Sequence, residues 1–132
     1  MLEAKGKHMR IFLGALLSGL LTSAAGASNW VPVTSLARGS VLLNADSVEH
    51  DGTDVRAWVQ FKQAPGTENG IAYELDHWVI DCKDMTVASL ATMQYDTKGK
   101  VTAGNSLSAY YPERTPITPH SVGFEVYRLV CR

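Results

Sequence analysis

The side chains that chemistry would recruit first in this chain are its two cysteines, its histidines and its clustered carboxylates. Cys82 lies in "VIDCKDM" and Cys131 in "YRLVCR", and neither stretch carries the further closely spaced ligands that a zinc site needs. His50, His77 and His120 show no His-x-His or His-x-x-x-His spacing and no metalloprotease pattern. Asp46, Glu49, Asp51 and Asp54 surround His50 with acids, but their order does not follow a calcium-loop template, so the segment reads as a solvated hairpin turn. His77, beside Asp76 and Trp78, reads as a satisfied core or rim histidine, because the sequence sets no nucleophile near it. Ser121 follows His120, yet adjacency in sequence makes no base-to-nucleophile contact; a helix cap accounts for the serine. The expectation is a protein that is not an enzyme, with no catalytic residues, no metal and no cofactor.

A different kind of chemistry is open to "DVRAWVQFK". If this stretch is a strand, Val55, Ala57, Val59 and Phe61 share one face and Arg56, Trp58, Gln60 and Lys62 share the other. An aromatic flanked by cations suits an acidic or glycan partner, since Trp and Arg are enriched at binding hot spots. The competing reading places Trp58 beneath a C-terminal helix. That reading is the preferred one, because a helix tied to the sheet must cover one of its faces and Trp58 offers a natural contact.

Position in the cell follows from the first residues. Lys5, Lys7 and Arg10 precede an apolar run from Ile11 to Leu21, and Ala25-Gly26-Ala27 supplies a small-x-small cleavage pattern. Residues 1–27 are therefore expected to be a secretory signal peptide and residues 28–132 a single exported domain, in the periplasm, secreted or at the cell surface. The exported part holds nine basic and twelve acidic residues, a net charge of −3, which does not suggest a nucleic-acid partner. It also contains no second apolar run of membrane-spanning length. In an oxidising compartment two cysteines favour a disulfide, and Cys82 and Cys131 have only each other.

The elements that must position these residues follow from periodicity. "SVLLNADSV", "DVRAWVQFK", "IAYELDHWVIDC", "MTVASLATMQY" and the Gly-broken "VTAGNSLSAYY" have strand composition, with a hairpin signal at Asp51-Gly52. In the third, Ile71, Tyr73, Leu75, His77 and Val79 share a side opposite Trp78, Ile80 and Cys82; apolar residues on both sides imply something packed over the sheet there. In the fourth, alternation places Met85, Val87, Ala91, Met93 and Tyr95 on one face. "PERTPITPH" has three prolines and suits a surface connection. "SVGFEVYRLVCR" admits a strand or a helix. Helical spacing is preferred, because it gathers Glu125, Arg128 and Arg132 on one stripe and Val122, Val126, Leu129 and Val130 on the other. The fold class expected is α+β and β-rich: one antiparallel sheet of about five to six strands, with a C-terminal helix held on it by the disulfide.

The order and spacing of "WVPV", "LLNADSVEHDGTDVRAWVQF", "WVIDC", "YDTKGKV" and "TPHSVGFEVYRLVC", with Trp30, Trp58, Cys82, Ser121 and Cys131 as markers, resemble the surface-adhesin protein E-like domains of Gram-negative bacteria. The resemblance implies the same sheet, helix and cysteine link, and an adhesive role toward host extracellular-matrix or plasma glycoproteins. Two other readings remain beside it: a periplasmic protein that binds or inhibits an envelope enzyme, and a small hydrolase. The binding surface is expected at an unpaired sheet edge or on the Arg56, Trp58, Gln60 and Lys62 row, and an edge can equally serve a homodimer. Cleavage is predicted between Ala27 and Ser28; intact-mass measurement of the exported protein should give a chain beginning at Ser28, and retention of residues 1–27 would contradict it.

Overall fold

The computed structural model describes residues 28–66, 70–106 and 113–132; the expected signal peptide lies outside the described residues. Eight strands form one antiparallel sheet: β1 Trp30–Leu36, β2 Gly39–Asn44, β3 Glu49–Asp51, β4 Asp54–Gln63, β5 Tyr73–Asp81, β6 Thr86–Tyr95, β7 Val101–Ser106 and β8 Thr115–Pro116. One α-helix, α1 Val122–Val130, follows among the described residues. The hydrogen-bonded path runs β1-β2-β4-β5-β6-β7, with β3 paired to β4 and β8 paired to β6.

The expectation of five to six strands is thus too low: β1 is not among the five segments read as strands, and two local features add β3 and β8. "SVLLNADSV" is not one strand: the Asn44 side chain accepts from the Asp46 backbone N–H at 3.1 Å and caps a 3₁₀ turn, Ala45–Ser47. Asn and Asp compete with the sheet ladder in this way by offering the backbone a local acceptor. The chain re-enters the sheet as β3, and the β3–β4 hairpin closes around Gly52, whose φ of +61° suits glycine. The second addition is β8, a two-residue bridge to Thr86 and Val87 within the proline-rich stretch. That stretch is also more than a surface connection. Arg114 holds Asp54 through two bonds of 2.9 and 3.0 Å, and Ile117 is buried in the core beneath α1.

The face assignment for β4 holds. Val55, Ala57 and Val59 are buried and pack with Val41 and Leu43 of β2, Ile80 of β5, and Val126 and Val130 of α1. On β6 the expected face does not hold across its length. The β5–β6 register shifts between His77 and Trp78, which pair with Ala91 and Ser89, so Leu90 forms a bulge. Val87 packs under the helix, while Ala91, Met93 and Tyr95 face the opposite side, paired with His77, Leu75 and Tyr73. One extra residue in a strand reverses every side chain beyond it.

The C-terminal segment is the preferred helix. Ser121 caps it, its Oγ accepting from the Phe124 N–H at 3.1 Å, and Val126 and Val130 point into the core. Nine residues make a marginal helix in isolation, so tertiary packing and the Cys82–Cys131 disulfide hold it. Replacing Cys131 with serine should lower stability by about 2 to 5 kcal/mol, the usual cost of losing a native disulfide in a small exported domain. Chemical denaturation of the variant measures it; an unchanged midpoint would mean that packing alone retains the helix.

Candidate binding face

Alternation along β4 places Arg56, Trp58, Gln60 and Lys62 on the face away from Val55, Ala57 and Val59, which means away from α1. Trp58 is therefore not covered by the helix, contrary to the preferred sequence reading. The helix reaches the Trp78, Ile80 and Cys82 side of β5, and β4–β5 pairing sets Ala57 opposite Trp78 but Trp58 opposite His77. The disulfide decides this: Cys82 leaves β5 on the Ile80 side, so Cys131 can bring α1 to that side only.

On the free side Trp58 and His77 stack, with centroids 4.6 Å apart and planes 8° from parallel. The Trp58 backbone N–H donates to Ser47 Oγ at 2.9 Å, and the same hydroxyl donates to the Asn44 carbonyl at 2.7 Å, so the 3₁₀ turn fixes the strand that carries the indole. His77 is held below its ordinary pKa, first by burial and then by the positive charge of Arg56, with Glu49 acting weakly in the opposite sense. The imidazole is therefore neutral at pH 7. Arg56 pairs across strands with Glu49 and Val79, and its Nε is buried without a hydrogen-bond partner. Further along the same face Tyr73 and Tyr95 make a second parallel stack at 4.6 Å. Lys62 is exposed, while Arg56, Trp58 and Gln60 are half-buried. Two aromatic platforms with a guanidinium and an ammonium beside them can receive planar or apolar groups by stacking and acidic groups by charge-assisted hydrogen bonds.

The helix side carries a group that the sequence reading did not single out. Counting back from Ile80, Trp78, Asp76 and Glu74 share its face, opposite Ala57, Val59 and Phe61 on β4. Phe61 and Trp78 approach at 5.9 Å, with Val59 and Asp76 forming the rung between them. Glu74 accepts from Gln94 Nε2 at 3.0 Å and, with Leu36, Phe61 and Ile71, borders an open cleft of about 470 Å³. Asp76 Oδ1 is buried without a hydrogen-bond partner. Its pKa is raised to about 6, chiefly by burial and next by the neighbouring Glu74 charge, against lowering contributions from Thr92 and Trp78. The signal was available: the alternation that puts Ile80 in the core also puts Asp76 on that face.

His50 and His120 do not join His77. His120 sits in the turn before α1 with φ of +63°, and His50 lies on β3. Among the described residues no three His, Cys, Asp or Glu side chains gather as a metal-binding set, and no described helix is long and apolar enough to cross a membrane.

With this geometry in place, comparison with known proteins is decisive on one point. A family model described as surface-adhesin protein E matches residues 30–132. The chain belongs to that family. Its fold resembles that of Haemophilus influenzae protein E, at 11% identity and a TM-score of 0.57 over 80% of this chain and 86% of that one. It resembles protein E from non-typeable Haemophilus influenzae at 10% identity and a TM-score of 0.54, over 82% and 78% of the two chains. No curated protein matches the chain. These likenesses show the fold, whereas identities this low carry no residue roles across.

The half-buried Asp76, whose Oδ1 has no hydrogen-bond partner, makes a pH-dependent prediction. Because the folded protein holds this proton more tightly than the unfolded chain, stability is greatest below pH about 4 and is lost as pH rises through about 6. A shift of about 2 units corresponds to about 3 kcal/mol, and solvent screening of a half-exposed carboxyl lowers this to about 1 to 2 kcal/mol. Asp76→Asn should therefore match the parent at pH 4 and melt higher at pH 7.5. Thermal melts across that range check it; a constant difference between the two proteins would refute the buried-carboxyl account.

Proposed function

We propose that the chain is an exported, adhesin-like binding module that contacts extracellular proteins, either host-matrix glycoproteins or envelope proteins, and catalyses no reaction. Membership of a surface-adhesin family supports the adhesive role. The observation that carries the location of the site is the Trp58–His77 stack beside Arg56, on the sheet face that α1 leaves free. A half-buried aromatic platform flanked by cations has the composition of a protein-binding hot spot. It also fits a partner that presents acidic groups, because Arg56 and Lys62 place two positive charges along the same row. The fold supports the same reading: the row projects from β4, the strand whose other face is the most deeply buried in the sheet, so the contact surface sits on a rigid base.

Binding of the exported protein to immobilised extracellular-matrix glycoproteins, measured by surface plasmon resonance at several salt concentrations, tests this reading. Replacing Arg56 and Lys62 together with glutamate should weaken binding at least tenfold and remove its weakening by salt, because salt screens the attraction in the parent but the repulsion in the variant. Unaltered binding would remove this face from the function. Binding to a periplasmic enzyme instead of matrix protein would favour the inhibitor reading. Turnover of a substrate that disappears in His77→Ala would make the protein a hydrolase.

A further inference from the structure

The hydrogen-bonded path ends in two edges, and they are protected differently. β1 contains Pro32, which has no N–H to offer, its register with β2 shifts between Pro32 and Thr34, and Val31 and Val33 pack against the core that α1 completes. Proline, bulges and cover are the usual means of blunting a sheet edge. β7 shares the irregularity, since its register with β6 skips Thr102, but it has no proline and no described element covers it. Its sequence, "VTAGNS", carries no proline and no charge, every residue in it is exposed, and Val101 is 45% exposed. Its ladder runs to β6 alone, and no described backbone group bonds its outer side. Alternation in an antiparallel ladder leaves roughly every second residue of such a strand with both backbone groups pointing outward.

Two further features lie along this edge. Thr92, Gln94, Ala103, Gly104 and Asn105 line a depression of about 180 Å³, which exists because β7 places small residues beside its neighbour. At the start of the strand stand Lys98 and Lys100, whose backbone N–H groups both donate to Asp96 Oδ1 at 2.9 Å and whose ammonium groups form no ion pair with any described residue.

We propose that β7 is a strand-addition site that takes an extended segment of a partner protein, paired antiparallel, with a small neutral side chain in the depression and an acidic residue after the strand facing Lys98 and Lys100. Main-chain bonds supply affinity in this mode, and pockets for alternate side chains supply selectivity. The antiparallel sense continues the rest of the sheet and sets the C-terminal end of the added segment beside the lysines. A second copy of this chain fits less well. Self-pairing would bring Asn105 and Ser106 toward the lysines, with no acid to meet them. The proposal rests on the edge alone and is independent of the Arg56 row.

The probe is a blocked synthetic peptide, Thr-Val-Ser-Val-Thr-Asp-Glu, added to the exported protein while amide hydrogen exchange is followed across residues 101–106. We expect slowed exchange in β7, with affinity falling at least tenfold when Asp-Glu becomes Lys-Lys or when the Ser becomes Pro. Ala103→Lys, and Asn105→Lys as a second edge variant, should abolish protection while leaving the melting temperature near that of the parent. The Arg56 and Lys62 glutamate variant should bind the peptide as the parent does, which separates this site from the face described above. Absence of protection, equal binding by the lysine-ended peptide, or full binding by both edge variants would overturn the proposal. A concentration-dependent dimer in sedimentation that Ala103→Lys disrupts would assign the edge to a second copy and overturn it as well.

Discussion

Burial of the apolar stripe of α1 on one side of the sheet is the constraint from which the remaining features follow. A nine-residue helix does not persist in water by its own hydrogen bonds, and fully burying Val126 and Val130 is worth roughly 1.5 to 3 kcal/mol each. The sheet supplies the matching surface only where Val41, Leu43, Val55, Val59 and Ile80 converge. Ile117 fills the space beneath the start of the helix, where the Gly123 backbone passes close to its side chain. The disulfide then removes the remaining freedom by joining the last turn of the helix to the end of β5. Once that side is committed to the helix, β4 can present polar and aromatic groups on the other without loss of core.

How much of this was legible depends on whether the deciding contact is local. The Ser121 cap, the helical stripe, the β4 alternation and the Asp51-Gly52 hairpin each rest on residues within a few positions of one another, and each stands in the structure as the sequence indicates. Cys82 and Cys131 are distant in sequence, yet an even count of two leaves a single pairing. The side of the sheet that the helix takes is different. It depends on the parity between Cys82 and Trp58 across two strands, and the pairing of Trp58 with His77 fixes it. The bulge at Leu90 was hidden for a related reason: an irregularity in pairing belongs to two strands, and alternation within one of them gives no sign of it. The 3₁₀ turn had a local signal in Asn44 and Asp46, masked by the apolar residues on either side.

The two titratable groups with perturbed surroundings in mid-strand sit next to each other in sequence and on opposite sides of the sheet. Asp76 faces Phe61 and Trp78, where burial favours the protonated carboxyl; His77 faces Trp58, where burial and Arg56 favour the neutral imidazole. Both effects reduce charge in the centre of β5, which lets the strand be packed on either side. Their pH dependences have opposite signs. Ionising Asp76 costs stability as pH rises toward about 6, whereas protonating His77 costs stability as pH falls below the ordinary histidine range.

That opposition bears on the proposed binding row. A neutral His77 stacks flat on Trp58 and leaves Arg56 as the positive group nearest the platform. A protonated imidazole would place a second cation beside Arg56 and disturb a stack that depends on burial, so acidification alters the row and the helix side of the same strand together. Charge on the row is nonetheless separable from the core. Arg56 and Lys62 point away from Val55, Ala57 and Val59 along the whole of β4, and strand alternation keeps a substitution at either residue from reaching the packing that holds α1. The proposed recognition face can therefore change its charge pattern without changing the fold, because the residues that build the domain and those proposed to meet a partner occupy alternate positions of a single strand.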